Sequence, residues 1–368
     1  VELGHSVAGP FAGQILSDLG ARVLKVEKPK GDDARHWGPP FVDGASATFQ
    51  ALNRNKQSIS LDLRKPDELA ALQAFIVDHA DAVIQNMRPG QVDELGLDAD
   101  TLRGRAPRLV YCNLGAFGAA GPLADRPGYD PLMQAFSGIM SVVGEPGGAP
   151  VRVGPSIVDM GCGMWGALGI VSLLLRRATT GVGGLVDASL LETAIGWMGL
   201  FCAQYQASGE LPRKNGSGQT GIVPYRAFAT ADGDVVVSAG NDTLFARLCR
   251  MLDHADWLDD PRFVSNPLRV EHAAVLNPLL EDCFRAQTTA VWMERLEKAG
   301  IPCAPVQNVA QMLAHAQTRA MRILQQVPGS SIDLVGLPLR FDGQRPVPRS
   351  APPPIGTPGD LHLLTEDW

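Results

Sequence analysis

Nowhere in the 368 residues does charge of one sign accumulate. Lysine and arginine are scattered, the net charge is −7, and the sequence pI lies near 5.5. Such a chain lacks the basic stripe that binds nucleic acid broadly, although single cations can still hold phosphates in a pocket. The six cysteines (112, 162, 202, 249, 283 and 303) include no C-x-x-C pair and no zinc-finger spacing. They read as reduced, mostly buried thiols of a cytoplasmic protein. The seven histidines form no close pair with ligand spacing, so no metal is expected. No basic-then-apolar signal segment is present. The uncharged run Met160 to Leu175 falls short of the roughly 20 residues a bilayer needs, and Arg176–Arg177 ends it. It reads as a buried helix, with no membrane partner. The turn "GHSVAGP" lacks the G-x-G-x-x-G spacing of a dinucleotide site. Pro122 stands where a phosphate-binding helix would follow glycines 115, 118 and 121. There is no Walker loop, and no G-x-S-x-G elbow.

What is present is a β-α-β rhythm over the first 120 residues. A helix over Gly9 to Leu19, ending at Gly20, precedes the strand "ARVLKVE". The strand "SISLDL" leads into "KPDELAALQAFIVDHA". In that helix Pro66 stands near the start, Asp67 and Glu68 fill the first turn, and Leu69, Leu72, Phe75 and Ile76 share one face. Strands "DAVIQN", "RLVYCNL" and, further on, "GLVDASLL" follow. The pattern predicts an α/β fold with a mostly parallel sheet and helices on both faces. Ligands of such sheets bind outside the carboxyl ends of the strands. His5, Ser6, Lys28, residues 86–90 and the loop "GAFGAAGP" stand at those ends, a set suited to a phosphorylated small molecule. The boundaries are a large domain over 1–207, a linker over 208–221 and a small α+β domain over 222–320. A return linker and C-terminal segment over 321–368 is expected to pack on the large domain. The small domain opens with a hairpin around Asp232–Gly233 and a helix from Asn241.

One acid stands where the uncharged helix begins, in "VRVGPSIVDMGCGMWGALGIVSLLLRR". Ser156 and Asp159 fit a capping box, a structural role. The same carboxylate, kept ionised by the helix dipole beside glycines that let a substrate approach, could serve as a nucleophile. The pattern leaves both roles open.

Longer stretches narrow the choice. "AGPFAGQILSDLGARVLKVEKPKGDDARHWGPPF", "NRNKQSISLDLRKP", "QNMRPG", "GAFGAAGPLADRPGYDPLMQAFSGIMS", "VDASLLETAIGWM" and "AGIPCAPVQNVAQML" occur in this order. Together they resemble the class III CoA-transferases, the superfamily of formyl-CoA and carnitine CoA-transferases, across nearly the whole chain. The resemblance implies a large Rossmann-like domain, a smaller α+β domain and an interlocked homodimer. It implies no tightly bound cofactor, with coenzyme A and acyl-CoA as substrates. Asp159 takes the place of the catalytic acid, which attacks an acyl-CoA thioester and passes through an aspartyl-CoA thioester to a carboxylic acid acceptor. Val7 and Ala8 match positions along the pantetheine, and Lys28 a position facing a phosphate. Leu61 and Arg64 match the adenine end, Asn86, Met87 and Arg88 the following loop, and Tyr129 the thioester region. Glu94 departs from the pattern, standing where some relatives carry a basic group. The substrate loop is reduced to "SAGNDT", with Gly240 and Asn241.

The donor implied is succinyl-CoA, with a dicarboxylate acceptor and Arg152 or Arg226 as possible clamps. The alternative is an α-methylacyl-CoA racemase-like isomerase. Those relatives carry His where this chain has Tyr129, and a phenol with a pKa near 10 is a poor partner for α-deprotonation at neutral pH. A silent CoA-binding subunit would lack the acid or the loop asparagine, and both Asp159 and Asn86 are present.

Overall fold

The computed structural model describes residues 1–364; residues 365–368, part of the expected C-terminal segment, lie outside the described residues. Contacts divide the chain into two units. Of the described residues, the first holds 1–140, 152–210 and 319–364, the second 141–151 and 211–318.

In the first unit the N-terminal residues run extended at the centre of a parallel sheet. Glu2 bridges Lys25 on one side and Ile84 on the other. The strands that follow are β1 (Val23–Glu27), β2 (Lys56–Ser60), β3 (Ala82–Gln85), β4 (Val110–Gly115) and β5 (Gly184–Ser189). β1 pairs with β2, and β3, β4 and β5 pair in that order, every pairing parallel. From the N-terminal segment the chain therefore winds outward to β1 and β2, then returns to build β3, β4 and β5 on the other side. The crevice at that reversal opens between residues 4–6 and residues 86–88, where strand order makes a ligand site.

Helix α1 (Ala8–Asp18) leaves the central segment, and α2 (Pro66–His79) joins β2 to β3. Pro66 stands in the first turn of α2, where its missing N–H costs nothing. Leu72, Phe75 and Ile76 are buried in one core with Leu24, Ile59, Val83 and Tyr111, and Leu69 packs against its edge. Other helices of the unit include α3 (Asp130–Phe136), α4 (Ile157–Thr180) and α5 (Leu190–Trp197). Residues after 319 return along the first unit. Asn55 accepts from the backbone N–H groups of Arg349 and Ser350, and Gly359 N donates to Ser60 O.

The glycines of α4 are explained by what touches them. A Cβ at Gly161 would meet Thr193 and Trp197 of α5 at 2.8 Å. At Gly163 it would meet the Ala8 carbonyl of α1 at 2.5 Å. At Gly166 and Gly169 it would meet Leu114 and Val186 of the sheet at 2.8 and 2.6 Å. The expectation that they give a substrate room is corrected: they let the helix lie against α1, α5 and the sheet. The helix ends at Gly181, whose φ of +72° is the left-handed cap conformation that glycine adopts without strain.

The second unit is built on the expected hairpin. β6 (Tyr225–Ala229) and β7 (Asp234–Ser238) are antiparallel, and β8 (Cys303–Pro305) adds to β7. Helices α6 (Asp242–Met251), α7 (Ala273–Arg285) and α8 (Thr289–Lys298) supply Phe245, Phe284 and Trp292 to a core around Phe228. Residues 211–221, in the expected linker, make several bonds within this unit. Ser217 accepts from Ala227 N, Gln219 N donates to Tyr225 O, and Asn266 donates to Gly221 O. Lys214 Nζ donates to the carbonyls of Gly148 and Ala149, which fixes 141–151 in this unit.

Candidate active site

Two cavities of the first unit open at the crevice. The inner one, about 630 Å³, is lined by residues that include Val7, Ala8, Asn86, Tyr129, Asp130 and Asp159. The outer one, about 690 Å³, is lined by residues that include Lys28, Lys30, Leu61, Arg64 and Glu94. His5, Met87, Arg88 and Tyr129 line both. The two ends differ in charge. The outer wall carries Lys25, Lys28, Lys30, Arg64 and Arg88 beside the acids Glu27, Asp32, Asp33, Asp62 and Glu94, whereas Arg88 is the one lysine or arginine of the inner wall among the described residues. The inner wall also includes Asp93, Asp98, Asp125, Asp187 and Glu192.

Asp159 is the third residue of α4 and is half-buried. Ser156 makes no capping bond, which corrects the capping-box reading. The cap comes from another helix. Asp130, the buried first residue of α3, accepts from the backbone N–H groups of Val158 at 2.8 Å and Asp159 at 3.2 Å. Gln134 holds that acid by donating to its other oxygen at 2.5 Å. A carboxylate from another helix thus satisfies two of the free N–H groups at the start of α4. Burial, with the Asp130 charge beside it, pushes Asp159 up to about 7. The expected low, fully ionised carboxyl is corrected accordingly. Cys162, one turn along, is buried and pushed up to about 12 by burial, an inert thiol.

The expected CoA residues divide by environment. Val7 and Ala8 are buried at the start of α1. Leu61 lies in the core at 1% exposure and lines the outer cavity. Lys28 is paired with Asp33 at 2.6 Å, and Arg64 makes two bonds to Asp62, both at 2.8 Å. These cations are exposed, so the pairs are weak and open to exchange for a phosphate. Arg88 is exposed with no ion pair shown, and Met87 is half-buried against the core. Asn86 is a brace: its amide accepts from His5 N at 2.8 Å and donates to His5 O at 2.9 Å. Glu94 is exposed on the outer wall, with its acid among the cations.

Gly240 and Asn241 lie in the second unit. The Gly240 carbonyl accepts from the fully buried Arg269 at 2.8 Å, and a Cβ there would strike Ile222 at 1.9 Å. Asn241 caps α6 by accepting from Leu244 N. Both residues are tied down. Of the two proposed clamps, Arg152 donates to Gly154 O on the surface of the first unit and does not line its cavities, and Arg226 lies in the second unit, where it pairs with Glu281 at 3.8 Å.

Three features escaped sequence reasoning. Asp130 is foreshadowed by an acid before a proline in "GYDP", but its partner helix is not. A ladder across three strand ends, Gln85 to Asn113 to Asp187, follows from sheet register alone, with both bonds at 2.7 Å. The third is a buried ion cluster beneath the outer cavity.

The whole arrangement has counterparts. Residues 1–358 match CoA-transferase family III. The chain is 34% identical to a succinyl-CoA:glutarate CoA-transferase of Mus musculus, covering all of this chain and 84% of that protein. It is 36% identical to a succinate–glutarate CoA-transferase of Agrobacterium fabrum, over 95% of this chain and 91% of that one. A crystal structure of a CaiB/BaiF family protein from Brucella suis superposes with a TM-score of 0.88 at 36% identity, over 96% and 94% of the two chains. The chain therefore belongs to CoA-transferase family III and is an enzyme of that family.

Proposed function

We propose that this enzyme moves CoA from succinyl-CoA to a small dicarboxylate through an aspartyl-CoA thioester on Asp159. One observation carries the reading: a half-buried acid near neutrality stands on the inner cavity, while the lysines and arginines that line the two cavities all stand on the outer one. Acyl-CoA has the matching polarity, with phosphates at one end and a neutral thioester at the other. The named relatives supply the donor and make glutarate the first acceptor to try.

In this scheme the Asp159 carboxylate attacks the thioester carbonyl, the C–S bond breaks, and a mixed anhydride and CoA thiolate form. The thiolate attacks the aspartyl carbonyl and releases the donor acid. The acceptor carboxylate then attacks the aspartyl thioester, and the returning thiolate takes the new acyl group and frees Asp159. Each exchange replaces one bond by another of similar energy, and none requires a proton. The nucleophile must, however, start ionised. Anhydride and thioester both hydrolyse, so water must be kept away, a task suited to the apolar start of α4.

The assembly proposed is a homodimer. Met164, Leu168, Val171 and Leu175 form an exposed apolar stripe along α4, the kind of surface that marks an interaction site. A second copy is its occupant in this reading, in keeping with the family resemblance.

The test is mass spectrometry of peptides after brief incubation with succinyl-CoA. A CoA thioester on the Asp159 peptide, absent in Asp159→Ala, supports transfer. Deuterium exchange at the α-carbon of a 2-methylacyl-CoA without any adduct would establish the isomerase instead.

A further inference from the structure

Where the two cavities meet, four backbone groups of three consecutive residues are each held by a side chain from elsewhere. Lys25 Nζ donates to Gly4 O at 2.8 Å. Asn86 holds both His5 N and His5 O. Asp32 Oδ1 accepts from Ser6 N at 3.1 Å. Ser6 has φ +66°, in the left-handed region that a residue with a Cβ adopts at a cost. Its hydroxyl lies 3.0 Å from His5 Nδ1, and His5 lines both cavities.

The side chains that hold this turn are costly ones. Lys25 pairs with Asp32 at 2.8 Å and with Glu2 at 2.9 Å, and Lys56 pairs with Glu2 at 2.8 Å. All four are buried. A well-packed apolar cluster would serve stability as well as this set of charges. Strain of this kind survives only where the surroundings over-determine it, and such places cluster at working sites.

We propose that Asp32 and Lys25 are positioning residues for CoA transfer, setting through Ser6 and Gly4 the turn that guides the acyl-CoA arm from the outer cavity to Asp159. The proposal rests on the transfer reading above. Neither residue touches the reacting atoms. Their effect is on placement, where an error of about 1 Å costs on the order of a hundredfold in rate.

The experiment compares wild type, Asp32→Asn, Ser6→Val and the double variant Asp32→Asn/Ser6→Gly. For each, the rate of CoA-adduct formation on Asp159 is measured beside the affinity for free CoA. Asparagine has one oxygen for the two sides that Asp32 serves, and turned to the buried Lys25 ammonium it leaves Ser6 N without an acceptor. Asp32→Asn is therefore expected to slow the adduct about a hundredfold, while CoA affinity stays within about threefold of wild type. Removing a negative charge beneath the outer cavity gives no reason for an anion to bind less well. Glycine adopts the left-handed turn without the Asp32 hold, so the double variant should recover about tenfold over Asp32→Asn. Ser6→Val disturbs the same turn without touching the buried charges and should behave like Asp32→Asn, so it decides the matter if Asp32→Asn does not fold.

Wild-type adduct rates in either single variant would overturn the proposal. So would CoA affinity lost in step with the rate, or no recovery in the double variant. A wild-type enzyme that forms no adduct overturns the transfer reading, and this proposal with it.

Discussion

At the scale of single residues, a carboxylate can attack only after its proton is gone, and burial makes that removal harder for Asp159. With Asp159 pushed up to about 7, kcat/KM for acyl-CoA should rise about tenfold per pH unit below 7 and level off above it. A pH profile measured from 5 to 9 checks this; a limb near 4 would contradict it. The same displacement has a cost in stability. The unfolded carboxyl ionises near 4 and the folded one near 7, so stability is fully present below pH 4 and is lost as pH rises to 7. Asp159→Asn should therefore be more stable than wild type at pH 8, by on the order of 3 kcal/mol, and the difference should close towards pH 4. Chemical denaturation at both pH values reads it. Asp130 contributes its charge to that displacement. Asp130→Asn, which keeps an acceptor for the α4 N–H groups, should move the acidic limb to lower pH.

At the scale of elements, the glycine spacing of α4 was visible in the sequence, but its purpose was not. Gly163→Ala gains helix propensity of about 1 kcal/mol, yet its Cβ falls 2.5 Å from a backbone carbonyl of α1 that cannot step aside. Net destabilisation of about 1–3 kcal/mol is expected, measurable as a lowered thermal midpoint. The strands and α2 were legible because period-two and period-3.6 patterns report local geometry. The cap of α4 was misread because Ser156 and Asp159 fit the pattern while a better-placed acid comes from α3. A local motif cannot register a competitor distant in sequence.

At the scale of the whole molecule, the stripe along α4 bears on assembly. Leu168→Glu with Leu175→Glu should convert a dimeric enzyme to a monomer in sedimentation velocity. A wild-type chain that sediments as a monomer would remove the dimer proposal. Composition reads 208–221 as a linker, and the structure adds the bonds that parts of it make. Its glycines and polar residues look open, and 211–221 is bonded into the second unit by side chains up to 45 residues away.

The sequence by itself determined the strands and helices, the parallel sheet and the acid at the mouth of α4, together with a family-wide string of matching stretches. Those features depend on neighbours along the chain or on residues quoted in order. The proton affinity of Asp159, the cap from Asp130, the braced turn at His5–Ser6 and the ladder from Gln85 to Asp187 were decided only by the tertiary structure. Each depends on burial or on a hydrogen bond between residues far apart in sequence, and both exist only after the sheet has set its register.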